Sequence, residues 1–175
     1  RRSQIAEGFQ PPDQLLDYYV PAPTIRPLYF DDGQIRDEVY VYGSFLQSRM
    51  YMAGVTCSDC HAPHSARLRS SGTALCLRCH NENPPNNFQD AVGNFDTPQH
   101  HMHPVTPIEC VDCHMPKRTY MQIDDRRDHS LRVPRPDLSI KYGTPNACSN
   151  CHDEDDEWAM QQIIQYHGYR RRSHF

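Results

Sequence analysis

Apolar material is scarce in this chain. Of its 175 residues only 37% are hydrophobic, and tryptophan occurs once. A domain of this length ordinarily closes on a continuous apolar core, so something other than aliphatic side chains is expected to fill the interior. No run approaches the roughly 20 apolar residues that span a bilayer. The opening RRSQIAEGFQ has no apolar stretch of the kind a secretory signal carries, so a mature or trimmed chain is expected. Lysine is nearly absent: 16 of the 18 basic residues are arginine, leaving only Lys117 and Lys141. A net charge of -4 is too small to suggest nucleic acid or an anionic membrane as a partner.

What is abundant is patterned cysteine and histidine. All eight cysteines fall into four C-x-x-C pairs, and histidine follows each pair at once: CSDCH at 57, CLRCH at 76, CVDCH at 110 and CSNCH at 148. A disulfide framework explains an even count but not the four histidines. Zinc explains paired thiolates and leaves the same histidines idle. Covalent c-type haem attachment uses every residue of the motif. Two cysteines three apart on a helical turn reach the two vinyl groups on one porphyrin edge, and the next imidazole swings under the ring to the iron. Four covalently attached haems c are therefore expected. Their thioethers fall on Cys57, Cys60, Cys76, Cys79, Cys110, Cys113, Cys148 and Cys151, and their proximal iron ligands are His61, His80, His114 and His152.

Four buried porphyrins also account for the thin composition, because each is a large apolar plate. The expected fold class is mostly irregular, with short α-helices, organised around a stack of four covalent haems. Each haem brings two propionates, which suit the planar fork of arginine better than the point charge of lysine. Arg67, Arg69, Arg78, Arg118, Arg126, Arg127, Arg132 and Arg135 lie in the haem-bearing part and are candidates, though about half are expected to be solvated surface residues.

Seven histidines lie outside the motifs: His64, His100, His101, His103, His129, His167 and His174. Trans imidazoles on one iron put their Cα atoms roughly 12 Å apart, whereas three fully extended residues span at most about 10 to 11 Å. His64 is therefore expected to serve a haem other than the one on His61, which would tie two macrocycles together. The HHMH cluster at 100–103 can serve one or two irons, with His100 and His103 favoured and His101 in reserve. His129 lies on a proline-stiffened stretch able to cross a haem face. For any one of these the alternative is a surface histidine, or one bonded to a propionate. Methionine, the rival axial ligand, is poorly placed: Met115 directly follows His114, and Met50 and Met52 fit an amphipathic segment and read as packing.

The chain divides by content. Residues 1–56 carry no haem motif but hold six of the ten tyrosines and five prolines, an extended arm with one candidate strand at EVYVY. Residues 57–152 are the tetrahaem region, where unequal gaps of 19, 34 and 38 between first cysteines argue against a simple repeat. In 153–175, DEDDEWAMQQIIQYHG predicts a helix with an acidic start and a glycine stop, followed by a basic tail.

The stretches DGQIRDEVYVYGSFLQSRMYMAGVTCSDCHAPHS and IECVDCHMPKRTYMQIDDRRDHSLRVPRPDLSIKYGTPNACSNCH resemble the cytochrome c554-like, doubled-CXXCH multihaem cytochromes, including those fused to tetratricopeptide repeats. The resemblance runs from about residue 11 to the end. It implies bis-histidine haems in closely packed stacks, and it favours His64, the HHMH cluster and His129 as distal ligands. Relatives commonly carry further haem motifs upstream and helical repeats downstream, so a processed piece of a longer product, or a minimal relative, is expected. Some multihaem cytochromes polymerise into extracellular wires, and an arm like 1–56 suits that. The leading expectation is an electron carrier without a substrate position, partnered by other redox proteins or cytochromes, in the periplasm or cell exterior. The alternative is an oxidoreductase of a small nitrogen or sulfur compound with one open haem. A redox-sensing or scaffold module is the third.

Overall fold

The computed structural model describes residues 2–85, 93–95, 97, 100, 103, 108–120 and 122–168. His101 and His174 lie outside the described residues, as does the tail from 169 onward. Short elements joined by irregular chain dominate. An antiparallel pair, β1 (Arg2–Gln4) and β2 (Tyr19–Pro21), flanks α1 (Leu15–Tyr18). Two one-turn helices follow, α2 (Val41–Phe45) and α3 (Arg49–Met52), then α4 (Cys57–Cys60), α5 (Thr73–Leu77) and α6 (Cys110–His114). A second hairpin joins β3 (Lys117–Tyr120) to β4 (Asp124–Arg127), with Tyr120 opposite Asp124. The chain closes with α7 (Pro136–Tyr142), a 3₁₀ turn at Cys148–Asn150, and α8 (Asp156–His167). Among the described residues no helix is long and apolar enough to cross a membrane.

Local chemistry sets the two longest helices, which pack on each other. Pro136 opens α7, where a missing amide proton costs nothing, and Gly143 ends it at φ +64, a conformation that other residues avoid. Asp155 caps α8 by accepting the Trp158 amide at 2.8 Å, and Gly168 ends it, in line with the sequence pattern.

The expected strand at EVYVY does not form. Val39 is buried, but no neighbouring strand takes its hydrogen bonds, and from Val41 the chain curls into α2. The segment around it is also packed rather than extended. Tyr29, Ile35 and Val39 cluster with Tyr120 of the hairpin, and the Tyr120 hydroxyl donates to the Ile35 carbonyl at 3.2 Å. Gly43 lets the Tyr29 hydroxyl approach, since a Cβ there would meet it at 2.7 Å. The Gln34 side chain donates through Nε2 to the Pro145 carbonyl at 2.8 Å, and the Arg118 guanidinium lies 4.7 Å above the Phe30 ring. Residues 28–48, free of haem motifs, thus pack into the haem-bearing part. Of the methionines read as packing, Met52 is 69% exposed.

Candidate haem-iron centres

Each C-x-x-C-H motif makes one helical turn. The amides of His61 and His80 donate to the carbonyls of Cys57 and Cys76 at 2.9 Å, and that of His152 to Cys148 at 3.0 Å. In the first and third motifs the residue before the second cysteine is aspartate, and it closes the turn. Asp59 accepts the Thr56 amide at 2.7 Å, and Asp112 accepts the Glu109 amide at 3.0 Å. These bonds, with Arg69 and Arg78 nearby, hold the Asp59 carboxyl below its usual range. The fourth motif has Asn150 there and tightens to a 3₁₀ turn, with the Cys148 amide on the Asn146 side chain at 3.1 Å.

All eight thiols are free of disulfides. Burial pushes the Cys60 and Cys148 thiols up, and the Cys113 thiol to about 11. The Cys76 thiol is raised by its hydrogen bond with Cys110 and by burial. The same interactions place consecutive motifs side by side: Cys60 with Cys79, Cys76 with Cys110, and Cys113 with Cys148 and Cys151. Each motif thus has the next one along the chain as a neighbour.

The histidine rings gather in facing sets. His61 and His129 have centroids 6.5 Å apart and ring planes 24° from parallel. His114 and His100 stand at 5.9 Å and 8°, His152 and His103 at 6.0 Å and 41°. A metal–imidazole nitrogen bond is about 2.0–2.1 Å, so two imidazoles on opposite sides of one metal put their ring centres roughly 6 Å apart. All three pairs stand at that spacing. Three of the six rings also have their orientation fixed through Nδ1: His61 bonds the Ala66 carbonyl at 2.8 Å, and His114 and His129 bond those of Arg132 and Arg127 at 2.9 Å. With Nδ1–H donating to a carbonyl, Nε2 keeps the lone pair a metal requires.

His80 and His64 stand apart from this pattern. Burial holds the His80 imidazole below its usual value, and the ring beside it is Phe95, at 5.4 Å. His64 sits exposed on a tight turn in which the Ala62 amide donates to Arg67 and the Ala66 amide to Ala62, both at 2.8 Å. The compact turn shortens the His61–His64 reach further, and among the described residues no ring faces His64. Sequence reasoning passed over three rings: His167, 6.2 Å from His100; Phe95, between His80 and His100; and Trp158, 4.7 Å from His152. His167 stood among the histidines outside the motifs and Trp158 lay in the predicted helix, whereas Phe95 carried no signal.

Most of the candidate arginines have partners within the chain. Arg126 pairs with Asp124 at 2.6 Å, Arg127 with Asp112 at 3.2 Å, Arg132 with Asp32 at 3.3 Å and Arg135 with Asp137 at 2.6 Å. Arg69 and Arg78 donate to the carbonyls of Ser58 and Asp59. Arg118 differs, because its Nη1 is buried without a hydrogen-bond partner. A propionate oxygen would satisfy such a donor. The donor set, the ring spacing, the orphaned guanidinium nitrogen and the thin core all fit haem c.

Known proteins agree with this reading. Residues 93–173 match the family described as Cytochrome c552, and residues 51–84 match the doubled CXXCH motif, so that each of the four motifs falls within a match. No curated protein sequence matches the chain. The outer cell wall cytochrome OcwA has a similar fold, with a TM-score of 0.67 at 19% identity. The alignment covers 90% of this chain and 44% of that one, so this chain spans under half of that relative. From its motifs and these matches, the chain is a multihaem c-type cytochrome.

Proposed function

We propose that the chain transfers electrons through four closely packed haems c, each iron held between two histidines. The three facing imidazole pairs carry this reading. His129 is assigned opposite His61, His100 opposite His114, and His103 opposite His152. His64, too tightly tethered to share an iron with His61, is assigned to the iron on His80. Bound haem iron supplies a one-electron ferric–ferrous couple. The chain's part would be to hold each iron through these oriented imidazoles and to set consecutive motifs side by side.

Oxidised holoprotein should give only low-spin ferric EPR signals and no charge-transfer band of methionine ligation. His64→Ala should turn one haem high-spin while the haem on His61 stays six-coordinate. A high-spin signal in the unmodified protein would sink the reading. It would favour the second one, an oxidoreductase of a small nitrogen or sulfur compound, which draws on the apolar Phe95 ring beside His80.

Covalent haem attachment takes place outside the cytoplasm, so the periplasm or cell exterior is the proposed compartment. The fold shared with an outer cell wall cytochrome supports it. The partners there are other redox proteins, and copies docked end to end would form an extracellular conduit. Exposed Tyr40 and Tyr51 in the segment without motifs offer contact surface for such docking.

A further inference from the structure

A buried polar network joins the segment without haem motifs to two of the facing pairs. Asp128, 4% exposed, accepts from the Ser44 hydroxyl and, at 2.8 Å, from the Ser130 amide. The other Asp128 oxygen lies 3.9 Å from Nε of Arg132. That same Nε donates to Ser130 Oγ at 2.8 Å, and Nη1 of Arg132 reaches the Asp32 carbonyl at 3.0 Å and its carboxylate at 3.3 Å. Asp32 is held in turn by the Gln34 side chain at 2.7 Å. Between Ser130 and Arg132, Leu131 is kept at φ +48, a conformation that bulky residues seldom adopt without being forced.

The segment so clamped, 127–132, carries the acceptors for two imidazoles. The Arg127 carbonyl takes Nδ1 of His129, and the Arg132 carbonyl takes Nδ1 of His114. Groups that hold the far nitrogen of a ligating histidine set its tautomer, orientation and basicity. Asp128 Oδ1 takes both hydrogen bonds, while buried Oδ2 has none and is compensated by the Arg132 guanidinium at 3.9 Å.

We propose that the Asp128–Arg132 network, anchored on Asp32 and Ser44, is a positioning device that orients His129 and His114 together and so tunes two haems at once. It rests on the pairing of His61 with His129 and of His114 with His100 proposed above. Residues 28–48 then serve as the internal brace of two redox centres, whatever they dock outside.

The test uses holoprotein, read by low-spin EPR and by the midpoint potentials of the individual haems. His129→Ala and His100→Ala first identify which two signals belong to these pairs. Asp128→Ala should shift those two and leave the other two in place. Asp128→Asn, which keeps an acceptor oxygen for Ser44 and Ser130, should restore most of the shift. Should Asp128→Ala fail to load haem, Ser44→Ala, outside every haem motif, should move the same two signals. The inference is overturned if these variants leave all four signals unchanged, move all four together, or if Asp128→Asn shifts them as far as Asp128→Ala. If His129→Ala leaves every haem low-spin, the underlying pairing is wrong, a result independent of Asp128.

Discussion

Two regions of this molecule are built on different principles. Among the described residues nearly every buried one belongs to 28–48 or 116–145, where Tyr29, Ile35, Val39 and Tyr120 make an apolar cluster beside buried Asp32, Ser44 and Asp128. Among the described residues of 49–115 none is buried, although that stretch carries three of the four haem motifs. In the first region side chains cover one another and meet most of one another's hydrogen bonds, Arg118 Nη1, Asp128 Oδ2 and Thr144 Oγ1 being left without a partner. In the second the chain is mostly single helical turns and irregular connections, and the haems its C-x-x-C-H motifs would carry would supply the apolar surface. On the proposed reading, order there would come from the cofactor, with the braced region as the fixed frame.

Removing the haems should break this contrast most severely. Fully burying a large apolar side chain contributes about 1.5–3 kcal/mol, while ordering each residue costs roughly 1–2 kcal/mol in backbone entropy. A cluster of four cannot hold 175 residues. Chain expressed without the attachment machinery should therefore be largely unfolded by circular dichroism. A cooperative thermal transition in that material would show that the protein core suffices.

The next effect is smaller and confined to the braced region. Tyr29 is 1% exposed, and truncating a buried aromatic to alanine typically costs about 3–5 kcal/mol. Met52→Ala, at a residue 69% exposed in the other region, should stay within about 0.5 kcal/mol. Denaturant titration of the two holoprotein variants compares them directly. Equal losses would mean that the second region has a protein core of its own.

Legibility in the sequence followed the same divide. The C-x-x-C-H turns were readable because the motif is local: five residues contain both cysteines, the adjoining histidine and, in two motifs, the aspartate that caps the turn. Helix α8 was readable from its acidic start and its glycine stop. The brace was not. Its bonds join residues as far apart as Ser44 and Asp128, or Asp32 and Arg132, and no period or spacing records such pairings. The arginine surplus was read as a supply for propionates, yet with 22 acidic residues in the chain several forks found carboxylates nearer home. EVYVY alternates as a strand should, but alternation cannot say whether a partner strand exists to receive it.

The smallest expected effect belongs to the edge of the braced region and has a defined pH dependence. Arg135 donates to both carboxylate oxygens of Asp137 in the first turn of α7, at 2.7 and 2.6 Å. That fork holds the Asp137 carboxyl below its usual value, against a smaller opposing effect of burial. A carboxyl lowered on folding contributes stability above its unfolded pKa, near about 3.9, and the contribution is lost as pH falls through the folded value. The Asp137 side chain is 40% exposed, so solvent screens the pair, and exposed pairs contribute roughly 0.2–1 kcal/mol. Asp137→Asn should thus lower the thermal midpoint of holoprotein slightly at neutral pH, and the gap from the unmodified protein should close as the pH drops below about 4. A gap that stays constant down to acid pH would mean that Asp137 acts through helix packing and not through its charge. The frame around the haems would then owe nothing to that fork.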